Sequence, residues 1–125
     1  SIANAVGHSA RDVADNLDAV AVITPTASGY TARVMSRYRP RAPIIAITPD
    51  QRVQRRLMLS WGVTPLLALR AESTDEMIDH AVHTARERGL VQDGDTVVIT
   101  GGAARSEPGT TNLLRVYTVG QGKVL

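Results

Sequence analysis

The stretch Thr24-Pro25-Thr26-Ala27-Ser28-Gly29-Tyr30-Thr31-Ala32-Arg33 gathers hydroxyls and a glycine just ahead of a helical pattern. It follows the apolar run Val20-Ala21-Val22-Ile23, so it reads as a strand ending in a turn that starts a helix. Backbone N–H groups at a helix N-terminus lack intrahelical partners and carry the positive end of the helix dipole, which suits a phosphate. Thr24, Thr26, Ser28 and Thr31 add hydroxyl donors, and Gly29 permits a tight turn. No Walker lysine and no G-x-G-x-x-G accompany them. The expected chemistry is holding a phosphate, not transferring one. Taken alone, the same residues also describe an ordinary helix cap.

The other chemically suggestive residues point to bland roles. His80 and His83 stand three apart on a predicted helix, a metal-compatible spacing, but no third ligand is evident and exposed histidines are expected. Asp12, Asp15 and Asp18 fall on or beside the polar face of the first helix. No serine sits in a G-x-S-x-G elbow. Arg33, Arg37, Arg39 and Arg41 form one basic cluster, and Arg52, Arg55 and Arg56 another. With 14 basic against 12 acidic residues the net charge is only +2, and no aromatic platform for bases lies beside these arginines. They read as a solvated or interface face, with no nucleic-acid partner expected. Trp61, between a helix and a strand, is expected to pack.

At 125 residues the chain makes one domain. Its hydrophobic content is 43% with no Phe, so the core must be aliphatic, as in a parallel sheet covered by helices. The absence of Cys rules out disulfides and thiolate chemistry and fits a reducing compartment, so a cytoplasmic location is expected. The apolar runs are far shorter than the roughly 20 residues that span a bilayer, and no membrane partner is expected. The chain opens on Ser1 rather than Met, which reads as a processed, tagged or excised piece.

Helical and strand periods alternate along the chain. Ile2, Val6, Ala10, Val13, Ala14 and Leu17 recur at helical steps, and Val20–Thr24 makes the first strand. A second helix runs from Thr31 to just before Pro40. Ile44–Thr48 is a buried strand, followed by a helix from Asp50 to about Leu59 with Val53, Leu57 and Met58 inward. Val63–Leu69 is the third strand. Ser73-Thr74-Asp75-Glu76 starts a helix whose stripe is Met77, Ile78, Ala81, Val82 and Ala85, ending near Gly89. Thr96–Thr100 is the fourth strand, 101–112 a glycine-bearing loop, and Leu113–Val119 the fifth strand. Residues 121–125 read as a tail, leaving one domain over residues 1–120.

Helices between the first four strands require those strands to be parallel; a loop alone joins the fourth to the fifth, which should run antiparallel at an edge. The predicted fold is a three-layer α/β arrangement with a five-stranded sheet in the order 3-2-1-4-5. Ligands of such sheets bind beyond the carboxyl ends of strands where the order reverses. The Thr24–Thr31 loop and the 101–109 loop both leave those ends, so they should face each other.

Several motifs in this order resemble the C-terminal domain of pyruvate kinase. They are Thr26-Ala27-Ser28-Gly29-Tyr30-Thr31-Ala32, Ser36-Arg37-Tyr38-Arg39-Pro40 running into Pro43–Thr48, Trp61-Gly62-Val63, Gly94-Asp95 and Gly109-Thr110-Thr111-Asn112. The resemblance spans Ile2 to Gly120 and implies a regulatory domain that binds a phosphorylated activator and helps hold a homo-oligomer together. This would be a dimer of the domain or a tetramer of the parent glycolytic enzyme. The implied effector residues are Thr26, Ala27, Ser28, Gly29, Tyr30 and Thr31, with Gly101, Gly102, Arg105, Gly109 and Thr110 in the second loop. No catalytic residue is implied, and the magnesium and potassium of the family belong to a barrel that these residues do not contain.

Relatives responding to fructose 1,6-bisphosphate commonly carry Lys where Ala27 stands and Arg near Met77. Their absence favours a monophosphate such as AMP, ribose 5-phosphate or glucose 6-phosphate, because a second phosphate desolvated without a cation is unfavourable. Arg105 in the second loop is a cation that could partly substitute. The alternative is a freestanding phosphometabolite sensor of the same fold acting in trans.

Overall fold

A computed structural model describes residues 1–102 and 111–121. Its elements are α1 (Ile2–Asn16), β1 (Ala21–Pro25), α2 (Tyr30–Tyr38), β2 (Ile44–Thr48), α3 (Gln51–Leu57), β3 (Val63–Leu67), α4 (Thr74–Glu87), β4 (Thr96–Gly101) and β5 (Leu113–Thr118). The strand order is β3-β2-β1-β4-β5, with β4 and β5 antiparallel and the other pairs parallel. Class, order and strand directions agree with the expectation.

Local chemistry sets the helix starts. Ser1 Oγ accepts from Asn4 N–H at 3.2 Å, Asp50 Oδ1 from Arg52 N–H at 2.8 Å, and Ser73 Oγ from Glu76 N–H at 3.1 Å. Asp75 and Glu76 place negative charge in the first turn of α4. At the other end of α2, Arg39 takes a left-handed conformation at φ 54° and Pro40 follows.

Strand alternation divides the core. Ala21, Ile23, Ile45, Ile47, Val97 and Ile99 face Ile78, Ala81, Val82 and Ala85 of α4. On the opposite face, Val22, Ile44 and Val98 meet Ala10 and Ala14 of α1 and Met35 of α2. Ala46 meets Ala32 of α2 and Val53 and Leu57 of α3. Three helices therefore cover one face and α4 the other. Each fully buried Val or Ile contributes about 1.5–3 kcal/mol. The central β1 and β2 are buried at every residue, as a parallel sheet covered on both faces requires.

Several expectations shift. α1 buries Gly7, Ala10 and Ala14, while Ile2 (72% exposed) and Leu17 (49%) lie at its frayed ends. Small residues win this face because α2 approaches closely: a Cβ at Gly7 would stand 2.7 Å from Val34 Cγ1. α3 ends at Leu57, so Met58 and Leu59 turn outward. β3 ends at Leu67, since its edge position leaves nothing to bury Leu69. Trp61 is half exposed, with the Arg39 guanidinium 4.3 Å above its ring. His80 and His83 lie near Glu76 and Glu87 one turn away, and no group of three or more ligating residues could hold a metal among the described residues. No helix among them is long and apolar enough to cross a membrane.

The Asp50 cap carries a pH signature. Backbone N–H donors from Arg52, then Val53, lower its pKa below the ordinary aspartate value, with the Arg52 and Arg56 charges assisting. A lowered folded-state pKa gives stability that is present at neutral pH and is lost as pH falls through that value. Asp50→Asn should therefore lose less stability than wild type between pH 6 and pH 2. Urea midpoints at both pH values check this; an unchanged pH dependence would show that the cap carries no net charge effect.

Candidate functional site

The site lies where the strand order reverses, at the carboxyl ends of β1 and β4. Register pairs Val22 with Val98 and Ile23 with Ile99. Two residues on, Gly101 passes so close to β1 that a Cβ there would stand 2.7 Å from the Pro25 carbonyl oxygen. Glycine is required there by contact, not by φ.

From Pro25 the chain leaves as the predicted loop. Thr26 N–H donates to the Ile47 carbonyl at 2.8 Å, tying the loop to β2. Thr26 Oγ1 accepts from Gly29 N–H at 2.8 Å, and Ser28 Oγ accepts from Tyr30 N–H at 3.3 Å. A hydroxyl that accepts a backbone N–H keeps its own proton to donate. Thr26 and Ser28 are thus oriented by the loop yet remain donors. Gly29 is the N-cap of α2 at φ 85°, and no side chain caps that helix. Apart from Tyr30 N–H, which Ser28 Oγ accepts, its first-turn N–H groups and dipole are not masked by a cap of the kind that closes α1, α3 and α4. Ala27 is exposed and Tyr30 half-buried at the same turn.

Thr31 differs from its neighbours. It is 2% exposed, and its Oγ1 lies 2.7 Å from Thr111 Oγ1, a residue 80 positions later. This buried hydroxyl pair joins the start of α2 to the segment entering β5. Nearby, Thr100 Oγ1 donates to the Leu113 carbonyl at 2.9 Å, and Asn112 N–H to the Gly101 carbonyl at 3.0 Å. Thr24, on the same sheet face as Val22, is fully buried with an Oγ1 that has no hydrogen-bond partner among the described residues. The end of β1 thus holds an unused donor.

The structure brings Thr26 to Thr31 together with Gly101, Gly102 and Thr111. Arg105, Gly109 and Thr110 lie outside the described residues. Two residues escaped the sequence reading of the site. Thr111 belongs to the Gly109–Asn112 motif but does not read as a partner for Thr31. Arg33 reads only as part of a basic cluster, although its position four residues after Gly29 sets it over the loop. Its Nη1 donates to the Ser28 carbonyl at 3.2 Å.

With this geometry in place, the pyruvate kinase, alpha/beta domain family matches residues 4–117. The chain belongs to that family. It is 49% identical over 120 residues to pyruvate kinase of Bacillus licheniformis, and 48% over 119 to that of Geobacillus stearothermophilus. Identity to the Lactobacillus delbrueckii subsp. bulgaricus pyruvate kinase is 42% over 120 residues. These matches cover 95–96% of this chain and 20% of each relative, so the chain spans about a fifth of their length.

The Thr31–Thr111 pair gives a direct test of how the two segments are joined. Thr111→Val keeps the shape but leaves Thr31 Oγ1 buried without its partner, which costs about 1–3 kcal/mol. The double variant Thr31→Val/Thr111→Val should recover much of that loss, because both polar groups are then gone. Chemical denaturation of the three variants checks the cycle; strictly additive losses would show that the two hydroxyls act independently.

Proposed function

We propose that this chain is the regulatory C-terminal domain of a pyruvate kinase, binding the phosphate of a small effector at the 26–31 loop. The supporting observation is the uncapped N-terminus of α2, ringed by the oriented hydroxyls of Thr26 and Ser28 and tied to the β4–β5 segment through Thr31 and Thr111. Arg105, Gly109 and Thr110 would complete the site from the second loop. The parent enzyme would transfer a phosphoryl group from phosphoenolpyruvate to ADP in the cytoplasm. Its magnesium and potassium would be held by a catalytic barrel, and the domain itself would be non-catalytic.

The absence of cations at Ala27 and Met77 favours AMP, ribose 5-phosphate or glucose 6-phosphate over fructose 1,6-bisphosphate. Ser28→Asp should abolish binding while leaving helical circular dichroism unchanged. Two like charges 4 Å apart repel by about 4 kcal/mol at an effective dielectric of about 20. Calorimetric titration of the 125-residue chain with all four ligands is the test. Equal affinities of wild type and variant would remove the loop from the site, and a preference for the bisphosphate would overturn the monophosphate assignment.

The domain is also proposed to contribute to a homo-oligomer through the β5 edge. β5 pairs with β4 on one side only, and Val116 is 47% exposed on it. An apolar, proline-free edge invites another strand, and a two-fold mate needs only one self-complementary surface. Tyr117 is 7% exposed with its hydroxyl donating to Asp79 at 3.2 Å, so Arg115 and Val116 are the residues available to a mate. Val116→Lys should shift a dimer to monomer in sedimentation without changing the melting profile. A folded wild type that is monomeric at high micromolar concentration would overturn the edge contact.

A further inference from the structure

Arg33 stands one turn into α2, and its guanidinium turns back over the preceding loop. Nη1 donates to the Ser28 carbonyl at 3.2 Å and lies 3.0 Å from where a Cβ would stand at Gly29. Helical side chains lean toward the N-terminus, so this reach needs no unusual conformation. Other arginines are occupied differently. Arg41, Arg86 and Arg115 lie near carboxylates, and Arg39 covers the Trp61 ring. Among the described residues no carboxylate pairs with Arg33, and its guanidinium is held beside the loop by the Ser28 carbonyl. Of its five N–H donors, one is directed at Ser28 and the rest remain for another acceptor.

We infer that Arg33 is the cation of the phosphate site, gripping a phosphate monoester while its Nη1 holds the Ser28 carbonyl. This rests on the reading of the 26–31 loop as that site. A phosphate dianion set against a helix N-terminus gains from the dipole and from hydroxyl donors, but two negative charges call for a full positive one. Ala27 supplies none. Arg33 is exposed, so recruiting it carries no burial penalty, and its planar fork suits phosphate oxygens. Gly29 keeps the guanidinium in place: a Cβ there would meet Arg33, Val53 Cγ1 at 3.1 Å and Leu57 Cδ2 at 3.3 Å. One guanidinium beside one helix N-terminus matches one phosphate group, and a monoester follows from that count.

Calorimetric titration of the chain with ribose 5-phosphate, AMP, glucose 6-phosphate and inorganic phosphate, followed by Arg33→Gln and Arg33→Lys, tests this. Arg33→Gln should weaken binding about ten- to a hundredfold, the range of a charged hydrogen bond, with an unchanged melting point. Arg33→Lys should retain most of the affinity. Wild-type affinity should rise as the ester loses its second proton near pH 6, and that rise should flatten in Arg33→Gln. Equal binding by wild type and Arg33→Gln overturns the assignment while leaving the loop as a phosphate site. Equal losses in Gln and Lys with the pH rise preserved overturn it as well, since Arg33 then only props the Ser28 carbonyl. Failure of wild type to bind any of the four probes overturns the phosphate reading itself.

Discussion

The close approach of Gly101 to the Pro25 carbonyl governs the end of the sheet where the strand order reverses. A side chain at residue 101 would push β4 away from β1, and the 2.7 Å clearance to a Cβ leaves no room for compromise. With the strands that close, the chain leaving β1 and the chain leaving β4 start within one strand spacing of each other. The reversal of strand order then brings the starts of the two segments side by side. The Thr31–Thr111 hydroxyl pair and the Thr26 bond to Ile47 fix the first segment against the second and against β2.

The aliphatic core permits this because its layers are thin and regular. Three helices share one face of the sheet, and small residues let α1 lie against α2 at Gly7, where a Cβ would overlap Val34. α2 can then run from the strand-order reversal back along the sheet without displacing α3. Ser36 Oγ donates to the Trp61 carbonyl at 2.7 Å, anchoring the middle of α2 to the turn before β3. The start of α2 is therefore held at its tip by Thr31 and farther along by Ser36.

Strand order and direction were legible in the sequence because they follow from which connections contain helices. The buried run Ile44–Thr48 was legible because both faces of a parallel sheet are covered. Periodicity fixed which helices are amphipathic but not their phase. Ile2, Leu17 and Met58 fit the apolar stripe, yet they fall at helix ends where the neighbouring element has already ended. Ala10 and Ala14 were legible on that stripe, but Gly7 was not, because glycine has no apolar side chain to mark it. In the loop, the hydroxyl types and the turn glycine were legible from local spacing. That Thr31 faces inward was not, because its partner lies 80 residues away.

The proposed anion site would differ from one built on a lysine. Thr26 and Ser28 are already fixed by the backbone N–H groups they accept, so little rotamer freedom remains to be lost when a ligand arrives. The helix dipole is equally fixed, since it belongs to the backbone. On the same proposal only the cation would be free to adjust, and Arg33 is tethered at one nitrogen to the loop. On the proposed reading, a preorganised set of neutral donors would set where a phosphate sits, and the number of adjacent cations would decide how many phosphates are tolerated. Selectivity among metabolites would then come from charge count first and from contacts to the remainder of the ligand second.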